Sequence, residues 1–310
     1  MTNQAKGIFF TLITVSLWGV LAIALKVASK EIDSPTIVWF RFSLAFSGMF
    51  IWMAFKNPKG LQILYKPSWL IVISSLALAW NYIGFMLGIQ YTSPSNAQVA
   101  IQSGPVLLAI FGIFFFKEKI SRIQMAGFLL AVIGFYVFYR QHLGAMSGNE
   151  SQYTKGMLLT ISGAVTWAVY AALQKKLVLN YSVGTLNVFI FGLPVLIYLP
   201  FVNFASLAHL SFGYWALLVF LGANTLISYA CLSLALKYLE AGKVSIIIVL
   251  NPIITFILMG ILTWMHVDWI AGEHFSVLSI SGALLALTGA ILVVRKKKSP
   301  KEVYEFSGEY

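Results

Sequence analysis

A chain of 310 residues in which 59% are hydrophobic and only 10% charged cannot clothe a water-soluble surface of its size, because soluble chains carry about 25% charged residues. The net charge of +11 would suit a nucleic-acid partner, but the basic residues sit in connections between apolar runs, so nucleic acid is set aside and lipid is the expected solvent. One cysteine, Cys231, allows no intrachain disulfide, and His142, His209, His266 and His274 form no ligand cluster, so neither a metal nor a cofactor is expected.

Crossing the hydrocarbon core takes about 20 helical residues. Ten stretches meet that need: 7–29, 35–55, 68–90, 94–116, 122–140, 155–177, 183–204, 212–236, 241–264 and 275–294. The first is longer than a signal-peptide core and has a counterpart in mid-chain, so it reads as a retained span. Pro35 and Pro94 open the second and fourth spans, where a missing N–H costs nothing. The polar connector Gln141 to Thr154 divides five spans from five, and a charged tail with Pro300 follows Arg295. The expected organisation is therefore a five-helix repeat over 1–140, a linker over 141–154, a second repeat over 155–295 and a cytoplasmic tail over 296–310.

With the N-terminus in the cytoplasm, sixteen of the 21 basic residues fall inside: Lys6; Lys56, Lys59 and Lys66; Lys117, Lys119 and Arg122; Lys175 and Lys176; Lys237 and Lys243; and Arg295, Lys296, Lys297, Lys298 and Lys301. Lys26, Lys30, Arg41, Arg140 and Lys155 fall on the outer side. The positive-inside rule thus places both termini in the cytoplasm of a bacterial inner membrane protein.

The two halves match. Gly7, Trp18 and Lys26 recur as Gly156, Trp167 and Lys175 at an offset of 149; Tyr82, Tyr91 and Pro105 recur as Tyr229, Tyr238 and Pro252 at 147. Glu118, Ser121, Gly127, Leu130 and Gly134 recur as Glu273, Ser276, Gly282, Leu285 and Gly289 at 155, which puts an eight-residue insertion near Trp264 to Ala271. Five spans per half make the copies enter the membrane from opposite sides, the arrangement that lets one chain open to either face.

These residues carry a resemblance to the drug/metabolite transporter superfamily, and more narrowly to its ten-helix exporters with two EamA-type repeats. The Gly–Trp first spans (Gly7, Trp18, Gly19; Gly156, Trp167), the Tyr91-to-Pro105 stretch and Glu118 followed by Gly127 and Gly134 carry it over residues 6–295. The second half departs at the insertion and at Ala168, which stands where Gly19 does in the first. The resemblance implies an all-α membrane protein of ten transmembrane helices, two inverted five-helix repeats around a central cavity, alternating access, and small organic metabolites as substrates, amino acids among them.

Polar residues at mid-membrane face a cavity or a partner helix. Ser95, Gln98, Gln102 and Pro105 share one helical face, as do Gly163, Trp167, Tyr170 and Gln174. Asn81, Phe85 and Gly88, then Asn187, Phe191 and Pro194, then Asn224, Ser228 and Cys231, extend the set. With Trp18, Tyr82, Tyr229 and Asn251 they form the candidate substrate site; the competing reading is interhelical hydrogen bonding without substrate. Pro105 and Pro252 are candidate hinges for alternating access, or static bends. Arg41 either snorkels to the headgroups or places a charge in the cavity for a substrate carboxylate; Lys26 and Lys175 lie near helix ends, where snorkelling is favoured.

The ten acids (Glu31, Asp33, Glu118, Glu150, Glu240, Asp268, Glu273, Glu302, Glu305 and Glu309) lie in loops, span ends or the tail, so proton coupling through a mid-span carboxylate is not expected and facilitated diffusion or exchange is. The spans also lack paired carboxylates, a His cluster or an activated nucleophile, which argues against an enzyme. The expected function is alternating-access transport of a small organic metabolite, an amino acid or a related neutral, zwitterionic or aromatic compound, in the exporting direction. Import or exchange of a quaternary amine or nucleotide-like metabolite is the alternative, and a channel or lipid-moving protein the alternative of another class. Expected partners are that small molecule and membrane lipid, the chain being a monomer or weak homodimer.

Overall fold

A computed structural model describes residues 2–107, 111, 121–145, 150–239, 244, 247–273 and 275–294, and every regular element among them is helical. The principal helices are α1 (Asn3–Ala28), α2 (Ser34–Lys56), α3 (Trp69–Tyr91), α4 (Pro94–Ile101), α5 (Arg122–Ala145), α6 (Glu150–Leu177), α7 (Val183–Tyr198), α8 (Phe212–Tyr238), α9 (Asn251–Trp264) and α10 (Val277–Val294). Seven helices among the described residues are long and apolar enough to cross a membrane, while α9 and α10 are shorter apolar helices. The expectations for Lys117, Glu118, Lys119, Glu240, Lys243, His274, the 146–149 part of the linker and the 296–310 tail lie outside the described residues.

Helix starts follow from local chemistry and repeat between the halves. Asp33 caps α2 by accepting from the Thr36 N–H at 3.0 Å, and Ser182, 149 residues later, caps α7 by accepting from the Thr185 N–H at 3.1 Å. Ser93 accepts from the Asn96 N–H at 3.3 Å at the start of α4. The inserted segment follows the end of α9, where His266 takes a left-handed φ of 50°. Its N–H bonds the Thr263 carbonyl and the Val267 N–H bonds the Leu262 carbonyl, at 3.2 and 3.4 Å, the pattern that usually places glycine at this position. His266→Gly is expected to raise stability by about 1 kcal/mol, read as a higher Tm in detergent.

The core is assembled between the halves. α1 packs along α8, α3 along α6, α2 along α7, α4 against α9 and α5 along α10. Exchanging the halves turns the α1·α8 pair into α6·α3 and returns the other three pairs to themselves, which is the signature of a pseudo-two-fold axis. The direction of packing is fixed by close approaches. A Cβ on Gly134 would lie 2.2 Å from the Ala286 amide nitrogen, and one on Gly289 2.3 Å from that of Ala131, its repeat-equivalent contact. Gly127 and Gly282 join the same seam. Rising numbers on α5 thus meet falling numbers on α10, so equivalent helices run antiparallel. Small residues are what let two backbones approach this closely where lipid supplies no hydrophobic drive.

Two helices are interrupted at matching places. α4 ends at Ile101, Gln102 forms a turn and helix resumes at 103; helix at 247–248 gives way to a turn at 249–250 before α9. Ile101 and Ile248 each stand four residues before a proline, Pro105 or Pro252, and that carbonyl is the one a proline ring displaces and leaves without its N–H partner. Interrupted helices near mid-membrane expose such backbone groups only where a cavity receives them.

Candidate functional site

The breaks open onto a central chamber. It lies between the α1·α8 and α3·α6 pairs and holds about 560 Å³ of atom-free space, its mouth included. The lining is Trp18 and Leu21 of α1, Arg41 of α2, Asn81, Tyr82 and Phe85 of α3, Gln98 and Ile101 of α4, then Gln102, Pro105, Trp167 of α6, Tyr229 of α8, Ile248 and Asn251.

Aromatic rings frame it in pairs related by the axis. Trp18 and Trp167 meet edge to face at 6.4 Å between centroids and Tyr82 and Tyr229 lie tilted at 5.6 Å, while Trp18 and Tyr229, tilted at 5.3 Å, link the two pairs. Hydrogen bonds hold this frame to the backbone: the Trp18 indole N–H donates to the Ser228 hydroxyl at 3.0 Å, and the Gln98 amide donates to the Trp18 carbonyl at 2.8 Å. Polar groups, by contrast, are distributed unequally. Gln98 and Gln102 come from the first half, where the second half has Val249 at the position matching Gln102. The amide oxygens of Gln98, Gln102 and Asn251 are buried and accept no hydrogen bond from the described residues.

Among the described residues, Arg41 is the only cation in the lining. It is 2% exposed, its Nε donates to the Thr225 hydroxyl at 3.1 Å and its guanidinium lies 4.3 Å from the centre of the Tyr82 ring. Ile190 occupies the matching position in the second half. The side chain turns into the chamber, so the snorkelling alternative is set aside.

Lys26 and Lys175 also depart from expectation, since neither reaches for a headgroup. Lys26 Nζ donates to the carbonyls of Ile89, Gln90 and Thr92 at 2.9, 3.1 and 3.0 Å, where α3 ends. Lys175 Nζ donates to those of Leu236 and Leu239 at 2.7 and 2.8 Å, where α8 ends. A cation at a helix C-terminus answers unsatisfied carbonyls and the negative end of the helix dipole together. Because α1 pairs with α8 and α3 with α6, each lysine ties one pair to the other, at opposite ends of the chamber. At the Lys26 end Glu273 accepts from the Ser95 N–H at 3.3 Å, and burial pushes its carboxyl above the ordinary carboxylate range, opposed by the Ser95 and Ser93 hydrogen bonds and by Lys26.

Four expected site residues are placed outside the lining. Tyr170 packs behind Tyr229 at 5.7 Å. Gln174 donates to Ser233 at 2.8 Å and to the Asn187 side-chain oxygen at 3.3 Å, a polar knot joining α6, α7 and α8 next to the Lys175 end. Asn224 donates to the Leu17 carbonyl at 2.8 Å. The contacts of Gln174, Asn187 and Asn224 are interhelical hydrogen bonds, the competing reading for such residues. The first-half counterparts of Gln174, Asn187 and Ser233 are Leu25, Val38 and Met86, all fully buried. Pro252 also lies outside the lining, whereas Pro105 lies within it. Leu21, Ile101 and Ile248 went unrecognised in sequence; the two isoleucines had a signal, each lying one helical turn before a proline.

Comparison with known proteins agrees with this architecture. The model of the EamA-like transporter family matches residues 5–140 and 154–295. The chain is 31% identical over 295 residues, 94% of its length and 92% of the relative's, to a protein named uncharacterized inner membrane transporter YhbE of Escherichia coli (strain K12). It is 30% identical over 92% of its length and 94% of the relative's to an uncharacterized transporter of Haemophilus influenzae. A solved crystal structure, 17% identical, shares the fold at a TM-score of 0.66 over 94% of this chain and 97% of that one.

Proposed function

The chain belongs to the EamA-like transporter family, and from that premise we propose that it is a ten-helix, inverted-repeat carrier that moves a small organic metabolite out across a bacterial inner membrane by alternating access. The substrate class is that of amino acids and related neutral, zwitterionic or aromatic compounds. The observation that carries this reading is the partly open chamber on the pseudo-two-fold axis, between two helix pairs tied together at both ends. With the N-terminus cytoplasmic, the Lys26 end is the outer gate and the Lys175 end the inner one. Releasing one lysine while the other holds opens the chamber to one face only, with the breaks at Gln102 and 249–250 absorbing the rocking.

The site is tested with Trp167→Ala and Gln98→Ala, each expected to cut uptake into proteoliposomes at least tenfold while eluting as a folded monodisperse protein, since a large aromatic wall or an amide anchor is worth about 1.5–3 kcal/mol. Wild-type uptake by both variants would remove the chamber as the substrate site.

Glu273 makes the outer gate respond to pH. Its raised carboxyl means that the closed gate binds a proton more tightly than an open, hydrated one, so the closed state is favoured in acid and loses that advantage as pH rises through the raised range. Reactivity of a cysteine introduced at Leu21 towards an impermeant thiol reagent added outside should therefore rise with pH, and Glu273→Gln should flatten the profile.

A further inference from the structure

Among the described residues, Arg41 is a buried cation with no carboxylate beside it: the groups acting on it are Thr225, Tyr82 and Tyr229. The described acids lie at helix ends or in connections, outside the lining. A guanidinium deprived of water costs several kcal/mol unless an anion answers it, and a lone hydroxyl and a ring face answer only part of that cost. The matching Ile190 shows that the fold at this position needs no charge. Across the same chamber the amide oxygens of Gln98, Gln102 and Asn251 are acceptors without donors among the described residues. The lining therefore offers one fixed positive charge and a set of unanswered acceptors, held apart by aromatic walls.

We propose that Arg41 is the specificity-determining residue of the chamber, and that the transported metabolite carries a carboxylate held by its guanidinium and, at the other end, an ammonium or other N–H donor received by the unpartnered amide oxygens. This rests on the carrier reading and narrows it. Compounds with a positive charge and no carboxylate, quaternary amines among them, meet a like charge on entry, and nucleosides leave Arg41 unanswered. A planar guanidinium matches a carboxylate with two parallel hydrogen bonds, which a lysine ammonium does not reproduce.

The test is binding to the purified full chain, read both as thermal shift and as intrinsic fluorescence, since Trp18 and Trp167 line the chamber. The probes are the standard amino acids at millimolar concentration, their amides, the amines left by decarboxylation, choline and the common nucleosides. At least one free amino acid should raise Tm and alter the fluorescence, while its amide and its amine do neither. Arg41→Gln should weaken that binding about 10–100-fold, the worth of a hydrogen-bonded charge, and Arg41→Lys should fall between. Without ligand, Arg41→Gln should melt no lower than the wild type, because it removes an uncompensated buried charge; a merely structural arginine would instead lower Tm and leave ligand shifts intact.

Equal shifts from amides or amines overturn the proposal, as does retention of affinity by Arg41→Gln or a panel in which no carboxylate binds. Should choline or a nucleoside bind instead and lose affinity in Trp167→Ala, the carrier reading stands and this one alone falls. Should a bound amino acid fail to cross proteoliposomes, the reverse holds.

Discussion

Gly134→Leu is expected to leave almost no folded protein. The Cβ alone would lie 2.2 Å from the Ala286 amide nitrogen and 2.7 Å from its Cα, and these are backbone atoms with no rotamer in which to retreat. The whole α5·α10 seam would have to part, at a cost of about 3 kcal/mol or more. Gly260→Leu is the control, because no atom of the described residues lies within 4 Å of a Cβ built there and α9 would gain a better helix former. Fluorescence-detected size exclusion after mild heating separates the outcomes: the Gly134 variant aggregated or absent, the Gly260 variant as wild type. A monodisperse, heat-resistant Gly134→Leu protein would mean that the two repeats do not meet across this seam.

A second large effect belongs to the paired lysines, and it is reciprocal. Lys26→Met keeps the length of the side chain and removes donations to three carbonyls; Lys175→Met removes donations to two. Bonds to a charged donor are worth about 1.5–3 kcal/mol when both partners are desolvated, so losing a tie should shift the gate equilibrium tenfold or more. In a Cys231→Ser background carrying Leu21→Cys, thiol labelling from outside should accelerate in Lys26→Met and slow in Lys175→Met. Transport should drop in both, since a cycle needs both gates to close. Two variants that change labelling in the same direction would dismiss the lysines as gates and leave them as ordinary helix caps.

The repeat was legible in the sequence because it survives in residues whose types are restricted: tryptophans, tyrosines, prolines and glycines in register. The matched tryptophans and tyrosines do meet, as Trp18 against Trp167 and Tyr82 against Tyr229. The prolines pointed to interruptions in the fourth and ninth helices, and the interruptions lie one turn upstream, at the carbonyls that the rings leave unbonded. Depth within a helix was harder to read. Trp167, Tyr170 and Gln174 share a face, but at 1.5 Å per residue they span about 10 Å along the axis, and the chamber takes only the first. A helical face names a direction and leaves open which neighbour waits at each level. The lysines were misread for a related reason: the exposed carbonyls of α3 and α8 come to Lys26 and Lys175 through tertiary packing, and nothing local announces them.

The polar knot of Gln174, Asn187 and Ser233, set against Leu25, Val38 and Met86 at the other end, bears on kinetics. Water entering beside the knot finds amides and a hydroxyl able to bond it, whereas at the equivalent positions of the opposite end it meets the hydrocarbon side chains of Leu25, Val38 and Met86, with Lys26 and Glu273 as the polar groups nearby. Under the alternating-access reading proposed above, the two accessible forms would therefore be unequal in free energy, although the repeats that exchange roles are related by a pseudo-two-fold rotation. Apparent affinity scales with the fraction of molecules presenting an empty site, so half-saturation will be lower on the side served by the commoner form. A passive carrier built this way reads as asymmetric in one-sided assays while remaining unable to concentrate its cargo.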